Sequence, residues 1–217
     1  MTRLVDLSHV IEHGLVTYKG LPAPHICDYL SRAASRANYP PGTEFQIGRI
    51  DMVGNTGTYV DTPFHRYADG DDLAAVGLDR LADLPGLRVT APAQAVDVDA
   101  FAGLEVSGCA VLVHTGWARH WGTARYFEDH PFLTEAAAQW LADAGTVLVG
   151  IDSHNIDDTR TNARPVHSLL LARGILIVEH MTALDALPTR GFRFSAVPPR
   201  IAGFGTFPVR AFARVVD

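Results

Sequence analysis

Short apolar runs punctuate the second half of the chain: Cys109–Val113 (CAVLV), Val147–Ile151 (VLVGI) and Ile175–Val178 (ILIV). They are almost continuously apolar rather than alternating, the pattern of strands buried on both faces. Between them the period changes. Thr134 is a good N-cap for a helix over Glu135–Ala144, with Ala137, Trp140, Leu141 and Ala144 on one face and Gly145 as its stop. His167–Arg173 reads as a second helix, ended by Gly174. Pro198–Gly205 is expected to be a loop before a last strand at about Val209–Val215. The first third is richer in turns. Leu4–Leu7 and Gln46–Val53 read as strands, and Ala37–Gly42 (ANYPPG) as a loop, because consecutive prolines stop regular structure.

Buried strands linked through helices predict an α/β sheet covered on both faces. Chemistry in such sheets gathers at strand C-termini, where Gly116, Asp152 and Glu179 fall.

The length of 217 residues suits one core, so a single domain over 1–217 is expected. An apolar fraction of 47% with 19% charged residues is that of a soluble globular chain. The net charge of -6, with no Lys/Arg run, excludes a nucleic-acid footprint. No apolar run is long enough to span a membrane, and MTRLVDLSHV lacks the apolar stretch of a signal peptide. Cys27 and Cys109 are far apart and form no CxxC pair, so neither a disulfide framework nor a zinc knuckle is expected. The expectation is a cytoplasmic protein.

The densest chemistry lies in Asn55–His65 (NTGTYVDTPFH). Asp61 and His65 are four apart, but Pro63 between them and Gly57 upstream predict a loop rather than a helix face. Asp offers a hard oxygen ligand, and His an imidazole ligand or proton carrier. The pair fits equally a turn with a surface histidine. Glu179, directly after a buried strand, is expected to be paired or metal-bound, because burying a lone charge is costly. His167, at a helix start twelve residues earlier, could meet it, either in a metal site or in a core salt bridge. His13, His25, His120 and His130 lie in polar surroundings and are expected to be solvated, whereas His154, just beyond Asp152, is worth following.

Several segments occur in a recognisable order: Asp6-Leu-Ser-His9 with Gly14 and Tyr18, then NTGTYVDTPFH, Val111-Leu-Val-His-Thr-Gly-Trp117, Gly150-Ile-Asp152, His167 to Glu179, and Leu184-Asp-Ala-Leu-Pro188. From about residue 4 to residue 215 the chain resembles the cyclase family of metal-dependent hydrolases, which includes bacterial kynurenine formamidase and isatin hydrolase. The resemblance implies a single-domain α/β fold of the swivelling β/β/α type: a mixed sheet with a barrel-like β portion and flanking helices. It also implies a homodimer or homotetramer acting on a small-molecule substrate. The family loop is HxGTHxDxPxH. Its first two histidines, its Asp and a later His and Glu hold metal, and its last histidine is the acid/base. By that resemblance Asp61, His167 and Glu179 are metal ligands and His65 is catalytic. The first two histidines are absent, replaced by Asn55 and Tyr59. An amide oxygen is a weak ligand, and a phenol binds poorly until it loses a proton that it normally keeps to about pH 10.

The expected function is hydrolysis of an amide, lactam or lactone, as in an arylformamidase. One divalent metal, Zn or Mn, would activate the water. A metal-free dehydratase, cyclase or isomerase in the same pocket is an alternative, with Tyr59 and Asn55 donating to an oxyanion. A non-catalytic binding paralogue is another. Tyr18, Phe64 and Trp117 are candidate aromatic walls.

Overall fold

The computed structural model describes residues 2–216. The chain opens with β1 (Thr2–Asp6), then β2 (His25–Leu30) and β3 (Ile47–Asp51), with the short helix α1 (Arg32–Ser35) between the last two. There follow β4 (Tyr59–Asp61), β5 (Leu84–Thr90), β6 (Ala95–Val96), β7 (Ala110–His114) and β8 (Phe132–Leu133). Helix α2 (Glu135–Asp143) leads into β9 (Leu148–Ile151), and α3 (Pro165–Ala172) into β10 (Leu176–Glu179). Strands β11 (Phe192–Ser195), β12 (Thr206–Pro208) and β13 (Phe212–Val216) complete it.

One sheet of nine strands dominates, in the order β1-β13-β11-β5-β7-β9-β10-β4-β12. Strands β5, β7, β9 and β10 run parallel, and the flanking pairs are antiparallel. The sheet is therefore mixed, and it curls into a half-barrel, as the α/β expectation with a barrel-like portion required. Among the described residues, no helix is long and apolar enough to cross a membrane.

The expected elements appear with ends displaced by one to three residues. The hydroxyl of Thr134 does cap α2, accepting from Ala137 N at 3.1 Å. Helix α3 begins two residues earlier than expected, at Pro165, whose ring is preorganised for a first helical position. Two readings need correction. The centre of NTGTYVDTPFH is not loop: Tyr59–Asp61 is a fully buried strand between β10 and β12. Proline and glycine fix only its ends, while Tyr and Val favour the sheet. Thr206–Pro208, unassigned in the sequence, is an edge strand, the sheet position where proline is tolerated.

Side-chain alternation decides what faces the site. In β7, β9 and β10, Leu112, Leu148, Leu176 and Val178 fill a core on one side together with Val60, Phe194 and Ala213. Val111, Val113, Val149, Ile151 and Ile177 point the other way, under α2 and α3. Because Val60 joins the first core, its neighbours Tyr59 and Asp61 must project to the second side. Glu179 shares parity with Ile177, so it projects there too. The β4–β10 register sets Glu179 opposite Tyr59 and Ile177 opposite Asp61.

Candidate active site

The first turn of α3 carries His167 onto that face. Its backbone N–H and that of Val166 donate to the Asp157 carboxylate at 3.0 and 2.8 Å. Arg164, at the N-cap position, makes no capping bond, so Asp157 supplies the cap from the preceding loop. The same carboxylate accepts from His167 Nδ1 at 2.6 Å, which aims Nε2 away from it. His167 Nε2 then lies 3.7 Å from Asp61 Oδ2 and 3.7 Å from Glu179 Oε1.

These three residues fit a cation. Their ligand atoms lie within 4.8 Å of one another and all three side chains are buried. The 3.7 Å separations are too long for hydrogen bonds, yet close to the spacing of neighbouring donors about 2.1 Å from a shared metal. Asp61 Oδ2 has no hydrogen-bond partner although it is buried. The Asp157–His167 bond is the outer-sphere carboxylate typical of metal-ligating histidines.

The electrostatics agree. Burial alone would depress His167, but Glu179, Asp157 and Asp61 push it up to about 10, so the ring holds a proton that a bound cation would replace. Burial works to raise Asp61, but His65, His167 and the Thr206 hydroxyl outweigh it and hold the carboxyl below its usual range. Glu179 is pushed up to about 7, first by burial and also by Asp61, against the opposing pull of His167. Its Oε1 accepts from Ile156 N at 2.7 Å and its Oε2 from the Tyr59 hydroxyl at 2.6 Å. Burial and the nearby Glu179 and Asp61 charges raise the Tyr59 phenol well above its ordinary value, so it remains a donor rather than an anionic ligand.

His65 sits at the mouth, its side chain about a third exposed. Thr206 Oγ1 lies 2.6 Å from Asp61 Oδ1 and 2.7 Å from His65 Nδ1. A hydroxyl has one proton, and the ionised Asp61 takes it. Thr206 must therefore accept from His65 Nδ1–H, which makes Nε2 the basic nitrogen of the neutral ring. Gly205 permits the arrangement, since a Cβ there would collide with the His65 backbone.

A cavity of about 730 Å³ lies over this group, lined among others by Tyr18, Asn55, Tyr59, His65, His167 and Glu179. The sequence candidates Asp61, His65, His167 and Glu179 thus converge. Asn55 and Tyr59 face the same space. Of the proposed walls only Tyr18 lines it. Trp117 is buried elsewhere, its indole N–H donating to Tyr126 O, and Phe64 lines a separate shallow cleft. Gly116 and Asp152 also lie apart, in a smaller cavity where the Gly116 N–H donates to Asp152.

Asp157 and Thr206 were missed. For Asp157 a signal existed: a proline-initiated helix preceded by arginine needs a capping group from elsewhere. Thr206 had none, because only the β4–β12 register sets it opposite Asp61. His13 and His25 are exposed as expected. His130 is not solvated: it is buried, bonded to Pro131 O and Thr159 Oγ1. His154 lies in a box of rings formed by Tyr18, Tyr126, Phe127, His130 and His180.

Comparison with known proteins agrees with this geometry. The profile of the family described as Putative cyclase matches residues 5–158. A kynurenine formamidase of Bacillus cytotoxicus is 29% identical over 218 residues, covering 97% of this chain and 96% of its own. The fold superposes on isatin hydrolase A from Labrenzia aggregata bound to benzyl benzoate with a TM-score of 0.84, at 20% identity, over 100% of this chain and 94% of that one. It also superposes on a potential metal-dependent hydrolase with cyclase activity, with a TM-score of 0.81 at 24% identity over the full length of both chains.

Proposed function

The chain belongs to the Putative cyclase family, and from that premise we propose that it hydrolyses an amide, lactam or lactone, with aryl-formamides the first class to try. The observation that carries this reading is the buried Asp61–His167–Glu179 group, with its unpartnered Asp61 oxygen, beneath a cavity that His65 enters. Asp61, His167 and Glu179 would hold one divalent cation, Zn or Mn, which when bound polarises a carbonyl and lowers the pKa of water. His65 Nε2 accepts the proton of the attacking water and returns it to the leaving nitrogen or oxygen. Thr206 keeps His65 in the tautomer that can do so, and Tyr59 and Ile156 N–H orient Glu179. Water adds to the acyl carbon, the carbon–nitrogen or carbon–oxygen bond breaks, and a carboxylic acid leaves with an amine or alcohol.

The test is turnover of formanilide, an amide, a lactam and a lactone by protein loaded with Zn or Mn, with metal content measured on the same sample. Turnover that a chelator removes and added metal restores is the expected result. Protein with a full equivalent of cation and no activity on any of the four would overturn the reading.

Asn55 and Tyr59 predict the metal count. The double variant Asn55→His, Tyr59→His places imidazoles beside Asp61, an N,N,O set suited to either metal. It is expected to bind more metal than the one equivalent of the wild type, measured by equilibrium dialysis. No gain in a folded variant would mean that these two positions cannot reach a cation.

The reading places the enzyme in the cytoplasm as a homodimer or homotetramer. Its two cysteines are free thiols. The β2–β3 pair carries exposed apolar side chains, Tyr29, Ile47 and Ile50 being 75%, 49% and 55% exposed. Sedimentation at micromolar concentration should show self-association through an interface above roughly 1,000 Å², weakened in Tyr29→Ser, Ile50→Ser. A wild-type monomer would refute it.

A further inference from the structure

Three cations, Lys19, Arg66 and Arg164, line the cavity, while its sole carboxylate lining is Glu179, buried at the floor. The chain as a whole has 24 acidic residues against 18 basic ones, so this wall runs against the balance of the chain. The two guanidiniums are braced yet uncommitted. Arg164 Nη1 donates to the carbonyls of Thr161 and Ala163, both at 2.7 Å. Arg66 Nε donates to Ser168 Oγ at 3.2 Å, and its guanidinium lies over the Tyr67 ring. Among the described residues neither has a carboxylate within ion-pair distance, whereas Lys19 lies 4.0 Å from Glu128. Both arginines are anchored around α3: Arg164 immediately precedes it and Arg66 holds Ser168 within it. His167 lies between these anchor points in sequence and reaches the floor. The α3 N-terminus is itself taken by Asp157 and is not free for a ligand.

We infer that Arg66 and Arg164 receive a carboxylate carried by the substrate, so that the enzyme selects acyl compounds bearing an anionic group a few bonds from the bond it cleaves. This rests on the hydrolase reading and narrows it to an anionic substrate class. Guanidinium forks suit carboxylates because two parallel N–H groups can meet two oxygens, and bracing of one nitrogen lowers the ordering cost. The competing role is balance: the cations would merely offset Asp61, Asp157 and Glu179, and a neutral substrate would then serve as well.

Binding and turnover separate these possibilities. Calorimetry on the metal-loaded full chain compares benzoate with benzamide, and kinetics compare N-formyl-2-aminobenzoate with formanilide. The carboxylates should win by about tenfold or more in each pair, and in Arg66→Gln, Arg164→Gln both ratios should fall towards one, chiefly through Kd and KM. Equal binding of benzoate and benzamide by the wild type overturns the inference without needing any variant. So does a carboxylate preference that survives in the folded double variant, since the anion would then be held elsewhere. If the binding preference depends on the arginines but none of the formamides, amides, lactams or lactones turns over, the anion site stands and the hydrolase reading fails. If formanilide and its carboxylated analogue turn over equally, the hydrolase reading stands and the anion site falls.

Discussion

Asp61→Asn should cost about 10³-fold in kcat/KM and should lose the cation with it. Asp61 is wholly buried and divides its two oxygens: Oδ1 accepts from Thr206, and Oδ2 faces His167 without a partner. Asparagine keeps the volume but turns one of those oxygens into a donor and removes the charge. Placed toward Thr206, the amide N–H₂ meets a hydroxyl that must donate. Placed toward His167, it leaves the imidazole without an anion on that side. His65→Asn provides the contrast. It should lower turnover by about 10²-fold or more while metal content stays at the wild-type value, because His65 handles the proton rather than the cation. Metal analysis of the two variants beside their rates is the measurement. Loss of metal in His65→Asn, or its retention with full activity in Asp61→Asn, would reverse the roles assigned to them.

Acid should unfold this protein well before its surface carboxylates titrate. Burial lowers His9 from the ordinary 6.5 to about 4 and His154 to about 3, in the latter case with help from the neighbouring His130. His180 and His130 are lowered chiefly by burial as well. These rings are neutral in the folded chain and protonated in the unfolded chain below pH 6.5, so the unfolded state binds more protons and stability falls as pH falls. For each ring the slope approaches about 1.4 kcal/mol per pH unit between its folded and unfolded values. Glu179 opposes the trend. Its folded value near 7 lies above the unfolded 4.5, so between those values the folded state takes up a proton and gains stability on acidification. His167 opposes it too, but only above its unfolded 6.5: from its folded value of about 10 down to 6.5 the folded state holds the extra proton, and below 6.5 the ring is protonated in both states and adds no slope. Several rings against one carboxyl give a net loss. Urea midpoints at pH 6.5, 6 and 5 should decline, and His154→Phe, which keeps an aromatic ring in the box, should decline less steeply. A flat midpoint across that range would refute the assignment of neutral buried rings.

The sequence by itself determined the α/β class, the buried strands ending near Asp152 and Glu179, the Thr134 cap and the ligand candidates Asp61, His167 and Glu179. Those features rest on local properties: apolar periodicity, capping chemistry, and the cost of burying a charge beside a strand. Its resemblance to the cyclase family implied in addition that Asn55 and Tyr59 stand where the family loop carries two histidines. What it could not show depends on contacts between distant segments. Whether Tyr59–Asp61 is loop or strand was decided by its pairing with Ile177–Glu179 and Thr206–Pro208. That pairing set Thr206 beside Asp61, and the one-proton count at its hydroxyl then fixed which nitrogen of His65 is free. Asp157 became a cap and a brace for His167 only when α3 folded back against the loop after β9. His130 looked solvated because its neighbours in sequence are polar, yet ring packing against His154 buried it. Alternation of side chains is local, but which face becomes the site depends on register and on the helix laid over it, and these are properties of the assembled sheet.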